Sequence, residues 1–334
     1  MREMTVFTHR QSADTTTGLE ELRKQAARAG VTLRFDPAET AKHHLSAGAG
    51  VEIDAPVKDD VELCVVLGGD GTILRALQRY ADTDVPVFAI NYGAIGFLAT
   101  VEPANLADGV RRALHGEFEL LRLPAVVLEP SPEDGASGAG QDAQGASGGG
   151  ARTGEDEEEG EGDGGPAGTA DEGPGQSGGV RAEGRPLRTA INDVAIHRKV
   201  GERVAELAYA IDGEEAGSVR CDGLVVATPA GSTGYNLANG GPVMAWGVEG
   251  FVVSFIAPHS MSARALVVAP EDRLTIYNRS HEPQDIALDG RPAGEIPALA
   301  QLDLRFVNDV GTIAQLPGTS FYRRLREKFG RLAS

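Results

Sequence analysis

The segment VELCVVLGGDGTILRALQRY constrains this chain more than any other. Its apolar run from Val61 to Leu67, interrupted only by Glu62, reads as a strand buried on both faces, the kind found in parallel sheets. The run stops at Gly68-Gly69-Asp70-Gly71-Thr72, and a helical pattern restarts near Ile73. The flanks repeat the alternation. A short apolar stretch from Met4 to Phe7 is followed by a helical pattern with Leu19, Leu22, Ala26 and Ala27 on one face, and then by a strand from Val31 to Phe35. Past the glycine turn come the strand in VPVFAINYGAIGFLAT and a helix from about Pro103 to His115, whereas 37–60 is polar and poorly patterned. Strand and helix in alternation predict a doubly wound, parallel α/β sheet over about residues 1–120.

Farther on the period changes. TAINDVAIHR, VAELAYAID and GLVVATP are strands close together, with a turn signal at Asp212-Gly213, and ALVVAP, RLTIYN, QDIALDG, QLDLRFV and GTIAQL follow. These predict a C-terminal β-sandwich-like domain. Phe321 to Leu332 reads as an amphipathic basic helix that packs back on the first domain. The expected division is an α/β nucleotide-binding domain over 1–125 joined by a C-terminal helix at about 318–334, an insertion at 130–185, and a β-rich domain over 186–317.

The insertion is a matter of composition. Residues 130–185 hold 13 acidic and 3 basic side chains, 18 glycines and no aromatic residue. Such a segment buries too little apolar surface to offset its ordering entropy and is expected to be disordered. The whole chain carries a net charge of −18, with 5 Lys against 26 Arg. An acidic surface poor in lysine suits a cytoplasm of high salt, although a GC-rich genome would favour Arg over Lys too, and it is a poor match for nucleic acid. No apolar run is long enough to span a bilayer, so no membrane partner and a soluble, cytoplasmic protein are expected. Cys64 and Cys221 form neither a disulfide framework nor a CxxC zinc pair.

Two segments carry the chemistry. At the glycine turn, backbone amides can approach a phosphate closely and the following helix N-terminus adds its dipole. Gly68, Gly69, Gly71 and Thr72 are therefore candidate nucleotide-binding residues. Asp70 stands at the carboxyl end of the strand, where open α/β sheets bind ligands; an ordinary turn or N-cap aspartate is the alternative. The pattern is neither GxxxxGK[ST] nor GxGxxG. In RCDGLVVATPAGSTGYN (220–236), Asp222 precedes an apolar strand that runs into a loop of small and hydroxyl residues. Ser232 and Thr233 could hold phosphate or ribose oxygens and Tyr235 could stack on a base, the alternative being a capped strand-to-helix turn. Arg220 and Arg264 are candidate phosphate ligands, or else solvated surface arginines.

Together these segments resemble the NAD kinase family. Its GGDGT motif is similar to Gly68–Thr72 and its NxGxxGFL motif to Asn91–Leu98. The Asn-Glu pair resembles Asn192-Asp193, the DG–TPTGST(A/G)Y segment resembles 222–235, the PH loop resembles Pro258-His259, and a closing DG resembles Asp289-Gly290. The resemblance covers about residues 60–290, in the family's order. It implies phosphoryl transfer from ATP or polyphosphate to the 2′-hydroxyl of the adenosine ribose of NAD, with Mg²⁺ or another divalent cation, in a homodimer or homotetramer. It implies that Asp70 is the catalytic carboxylate and that Phe97 and Tyr235 contact adenine. Asn192 and Asp193 would hold the adenine and ribose portion, Thr233 and Asp222 the nicotinamide side, and His259 would lie near the reacting groups. Asn91, Arg220, Ser232 and Asp289 complete the expected binding set, and the metal is expected mainly on substrate phosphates. The chain departs from the pattern at Asp193, shorter than the usual Glu, and at Ala230, where Thr is common. GGDGT alone is shared with lipid kinases, against which TPAGSTGY and the lack of an amphipathic membrane helix speak. A non-catalytic nucleotide sensor is the other rival, and an intact Asp70 speaks against it.

Overall fold

A computed structural model describes residues 2–93, 96–129 and 188–330. The acidic segment 130–185 lies outside the described residues. The first half alternates as β1 (Arg2–Thr8), α1 (Ser12–Ala29), β2 (Val31–Arg34), α2 (Pro37–His43), β3 (Val51–Glu52), β4 (Leu63–Gly68), α3 (Asp70–Arg79), β5 (Val87–Asn91) and α4 (Leu106–Leu114). All five strands pair in parallel, in the order β3-β2-β1-β4-β5. The chain reverses its direction of winding between β1 and β4, so the carboxyl ends of those strands flank the crevice where such sheets take ligands. Leu19, Leu22 and Ala26 of α1 and Val110 and Leu114 of α4 cover one face. Ile73, Leu74 and Leu77 of α3 cover the other. The region 37–60, read as unpatterned, holds α2 and β3. Asp36 caps α2 by accepting the Glu39 N–H (2.7 Å), and Pro37 opens the helix, a start signal too short to show as periodicity.

The second half adds β6 (Glu119–Leu128), β7 (Thr189–Ala190), β8 (Asp193–Arg198), β9 (Ala205–Ile211), β10 (Glu214–Cys221), β11 (Gly223–Ala227), the short α5 (Tyr235–Ala238), β12 (Phe251–Ile256), β13 (Leu266–Val268), β14 (Leu274–Asn278), β15 (Gln284–Leu288), β16 (Arg291–Ile296), β17 (Gln301–Gln315) and α6 (Phe321–Phe329). A six-stranded antiparallel sheet, β13-β12-β11-β8-β15-β16, faces β9, β10, β14, β6 and β17 across a core that includes Ile196, Leu224, Phe251, Leu274 and Phe306. This is the expected sandwich.

The β9–β10 hairpin turns at Asp212-Gly213, both with positive φ (49° and 83°), as a two-residue hairpin turn requires. β10 and β16, missed in the sequence, are strands whose polar, exposed alternation (EEAGSVRC, RPAGEI) hides them. QLDLRFV and GTIAQL, read as two strands, are one. Its early part pairs with β14, its later part meets β5 in parallel, and β6 follows it along most of its length across a bulge between Val307 and Gly311. Through β17 a single sheet runs across both halves and holds them in fixed relation.

Candidate active site

Two loops meet at the carboxyl edge of the parallel sheet. β4 ends at Gly68, and α3 starts at Asp70, three residues before the expected Ile73, with Gly69 as its N-cap. The loop after β5 lies against it so closely that a Cβ on Gly93 would sit 2.8 Å from the Gly69 Cα, and one on Gly69 would sit 3.0 Å from the Gly93 Cα. Among the described residues, and apart from its own helix, Gly71 in contrast has nothing within 4 Å of where its Cβ would be, which leaves this first turn of α3 open to an approaching phosphate. Thr72 is half-buried beside Gly68.

Asp70 is held from the second loop. Its Oδ2 accepts the Phe97 N–H (2.9 Å) and its Oδ1 the Leu98 N–H (3.2 Å). Burial raises its pKa, and the two amides together with the Arg324 and Lys328 cations oppose that rise. Asn91 shapes the same loop, accepting the Gly93 N–H at Oδ1 (3.0 Å) and donating from Nδ2 to Glu102 (3.1 Å). Phe97, expected against adenine, has its ring buried beside Phe329 at 5.2 Å between centroids. What it offers the site is its N–H group.

Across the crevice, Asn192 immediately precedes β8 and Asp193 begins it. Asp289, expected as a nucleotide contact, organises them instead: its Oδ1 accepts from the Asn192 and Asp193 N–H groups (2.6 and 3.1 Å), and its Oδ2 from the Ile191 N–H (3.0 Å) and Gln78 Nε2 (2.6 Å). With both oxygens engaged by four donors it is a brace. Gln78 lies on α3, about 12 Å along the helix axis from Asp70, so one helix carries both sides of the crevice. Asn192 Oδ1 is buried with no partner among the described residues, an acceptor available to a ligand. Burial and the nearby Asp289 charge lift the pKa of Asp193 to about 7.

The 228–235 loop rests on this turn. Thr228 Oγ1 donates to the Ile191 carbonyl (2.7 Å) and accepts the Gly231 N–H (3.1 Å), and a Cβ on Gly231 would lie 2.0 Å from the Asn192 carbonyl oxygen. Ser232, expected at phosphate or ribose, is fully buried, its Oγ donating to the Pro229 carbonyl (2.7 Å) and accepting the Met244 N–H (2.9 Å). It is a structural hydroxyl. Thr233 is half-buried, with its Oγ1 on the Ala230 carbonyl (3.2 Å). Tyr235 is 36% exposed and stacks on His197, 5.6 Å between centroids and 19° between planes.

The sequence reading passed over His197. Its signal was the period of two along β8, which puts Asp193, Ala195 and His197 on one face. Asp222 accepts from Arg198 Nε (2.7 Å). His259 is exposed, its N–H donating to the carbonyl of exposed Arg220 (2.7 Å), and the Arg264 guanidinium caps the Met261 and Ala263 carbonyls (2.8 Å each). Near the open Gly71, Arg75 follows one helical turn on, bonded to buried Glu39 (3.0 Å). Arg291 has its pKa lowered by burial and by the Arg75 cation, with the Asp289 charge opposing and Arg10 adding to the fall, so it shares one rim with Arg75 and Arg10.

Among the described residues no group of three or more His, Cys, Asp or Glu is arranged to hold a metal. The single carboxylate at the glycine loop fits a divalent cation carried chiefly by substrate phosphates, as Mg²⁺ commonly is. No helix is long and apolar enough to cross a membrane among the described residues.

A doubly wound sheet with a glycine loop and an amide-held carboxylate at its carboxyl edge, joined to a layered β domain across the crevice, defines a nucleotide-binding phosphotransferase. Residues 7–118 match the ATP-NAD kinase N-terminal domain and residues 191–305 the ATP-NAD kinase C-terminal domain. The NAD kinase of Bifidobacterium longum subsp. infantis is 30% identical over 277 residues, covering 82% of this chain and 68% of that one. In fold, the chain is similar to yeast NADH kinase complexed with NADH (TM-score 0.73, 18% identity, 100% of this chain and 89% of that one). It is likewise similar to an NAD kinase from Archaeoglobus fulgidus in complex with ATP (TM-score 0.64, 22% identity, 99% and 98%). The chain belongs to the NAD kinase family.

Proposed function

We propose that this chain is an NAD kinase that moves a phosphoryl group from ATP or polyphosphate to the 2′-hydroxyl of the adenosine ribose of NAD. The observation that carries the reading is the Asp70 carboxylate, aligned by two backbone amides beside an open helix N-terminus. Asp70 accepts the hydroxyl proton as the ribose oxygen forms its bond to phosphorus and the donor's bridging P–O bond breaks, releasing ADP when ATP is the donor. The amides at Gly69 to Gly71 and the Arg75–Arg291 rim receive phosphate charge. Asn192 Oδ1 and Asp193 take the adenosine portion, with the exposed face of Tyr235 available to the base. A divalent cation such as Mg²⁺ supplies charge neutralisation on the phosphates, with Asp70 the carboxylate nearest to share it. Asp222, Thr233 and His259 are assigned to the nicotinamide side and the reacting groups on the strength of the family resemblance, as are a cytoplasmic location and a homodimeric or homotetrameric assembly.

The test is a coupled assay of NADP formation with NAD, ATP and Mg²⁺ in molar KCl, run beside Asp70→Asn. The variant is expected to fold and bind NAD but to turn over at least roughly 10²-fold more slowly, the scale of a lost general base. Near-wild-type turnover would remove Asp70 from the chemistry.

A further inference from the structure

The most buried cation near the glycine loop comes from the far end of the chain. Arg324, on α6, is 7% exposed, and its Nη1 donates to the carbonyls of Phe97 and Ala99, both at 2.6 Å. Its guanidinium lies 5.1 Å from the centroid of the Trp246 ring, which itself packs against Phe321 at 5.6 Å. Burying a guanidinium is costly, and two charge-assisted hydrogen bonds, an aromatic face and the nearby Asp70 and Glu102 charges offset it here. Two further contacts tie α6 to the same loop: Lys328 Nζ to Glu102 (2.9 Å), which also holds Asn91, and the Phe329 ring on Phe97.

The carbonyl that Arg324 grips and the N–H that holds Asp70 Oδ1 belong to one peptide unit, since the C=O of Phe97 and the N–H of Leu98 share a plane. A cation on the oxygen polarises that unit and strengthens the N–H bond to the carboxylate, and rigid planarity makes any tilt at one end a tilt at the other. A second bond from the same nitrogen, to the Ala99 carbonyl, fixes where that cation sits against the loop. From this chain of contacts we infer that Arg324 is a positioning residue for phosphoryl transfer, fixing the direction of the Asp70 carboxylate through the Phe97–Leu98 peptide. The inference rests on the reading of Asp70 as the proton acceptor. It gives the C-terminal helix a part in the reaction although no residue of α6 needs to touch substrate.

Arg324→Met removes both hydrogen bonds at similar length, and Arg324→Lys keeps the charge on a compact ammonium without the planar guanidinium. The expected result for Arg324→Met is a kcat lower by roughly 10²-fold, the effect of misplacing a reacting group, with the KM for NAD within about twofold of wild type. Arg324→Lys should recover part of that loss. Asp70→Asn and the double variant close a cycle. If Arg324 acts through Asp70, adding Arg324→Met to Asp70→Asn changes kcat little. Additive losses would place Arg324's action elsewhere and overturn the inference, as would a folded Arg324→Met enzyme with wild-type kcat. The Asp70→Asn arm alone reads the Asp70 assignment, so the two failures are distinguishable. Should Arg324→Met not fold, Arg324→Lys carries the same cycle, with the same additive outcome against the inference.

Discussion

Asp193→Asn should make the ligand-free protein more stable than wild type at pH 8 and leave it near wild type at pH 4. Asp193 is 7% exposed, and burial together with the Asp289 charge raises its pKa from 3.8 to about 7. Burial raises Asp289 as well, but its four donors oppose the rise, so Asp193 is the member of the pair left without compensation. Below pH 4 the folded and unfolded states both hold the Asp193 proton. Between roughly pH 4 and pH 7 the unfolded chain has lost it while the folded chain keeps it, so stability falls as pH rises, by about 1.4 kcal/mol per unit. Above pH 7 the folded state carries an ionised, desolvated carboxylate next to another. A rise of about three pKa units corresponds to about 4 kcal/mol across the window. Asparagine cannot ionise, so the variant escapes this loss. Urea denaturation of both proteins at pH 4, 5, 6, 7 and 8 gives the stability difference directly, and titrating groups that do not interact with Asp193 cancel in it, leaving Asp193 and its partner Asp289. A difference that stays constant across that range would refute the argument that Asp193 is desolvated and repelled in the fold.

Gly231→Ala should cost roughly 3 kcal/mol, the scale of overpacking against backbone, because its Cβ would lie 2.0 Å from the Asn192 carbonyl oxygen. Gly71→Ala should leave the melting temperature level or slightly higher, since the site is open and alanine favours a helix, yet raise the KM for the phosphoryl donor; thermal melts and kinetics on both variants check this. Replacing 132–184 by a short Gly-Ser linker should leave melting temperature and activity nearly unchanged. That segment has almost nothing to bury, and its flanks are already neighbours, with Leu128 N–H on the Arg188 carbonyl at 2.7 Å, so loss of folding or activity would count against the composition argument. Outside 130–185 the chain holds 36 acidic and 28 basic residues, so melting temperature should rise from 0.1 to 3 M KCl as screening shortens to a few ångströms; a flat or falling trend would end the saline reading.

What the sequence determined by itself was whatever is local. A strand buried on both faces stopping at Gly68, a helix following Asp70, and the order of motifs down the chain all follow from period, glycine and neighbour chemistry within a few residues, and they sufficed for the α/β class and the β domain. Tertiary structure alone decided which hydroxyls and carboxylates are spent on the fold. Ser232 shares a motif with Thr233, and Asp289 is a motif carboxylate as Asp193 is, but Met244 N–H and the Pro229 carbonyl take up the one and three backbone amides with Gln78 the other, partners from 3 to 211 residues away along the chain. Nor does any local pattern foretell that Arg324 reaches back 227 residues to the carbonyl of Phe97. A hydrogen bond depends on where two groups end up in space, and that placement is set by the single sheet through β17, which closes only when the whole chain has folded.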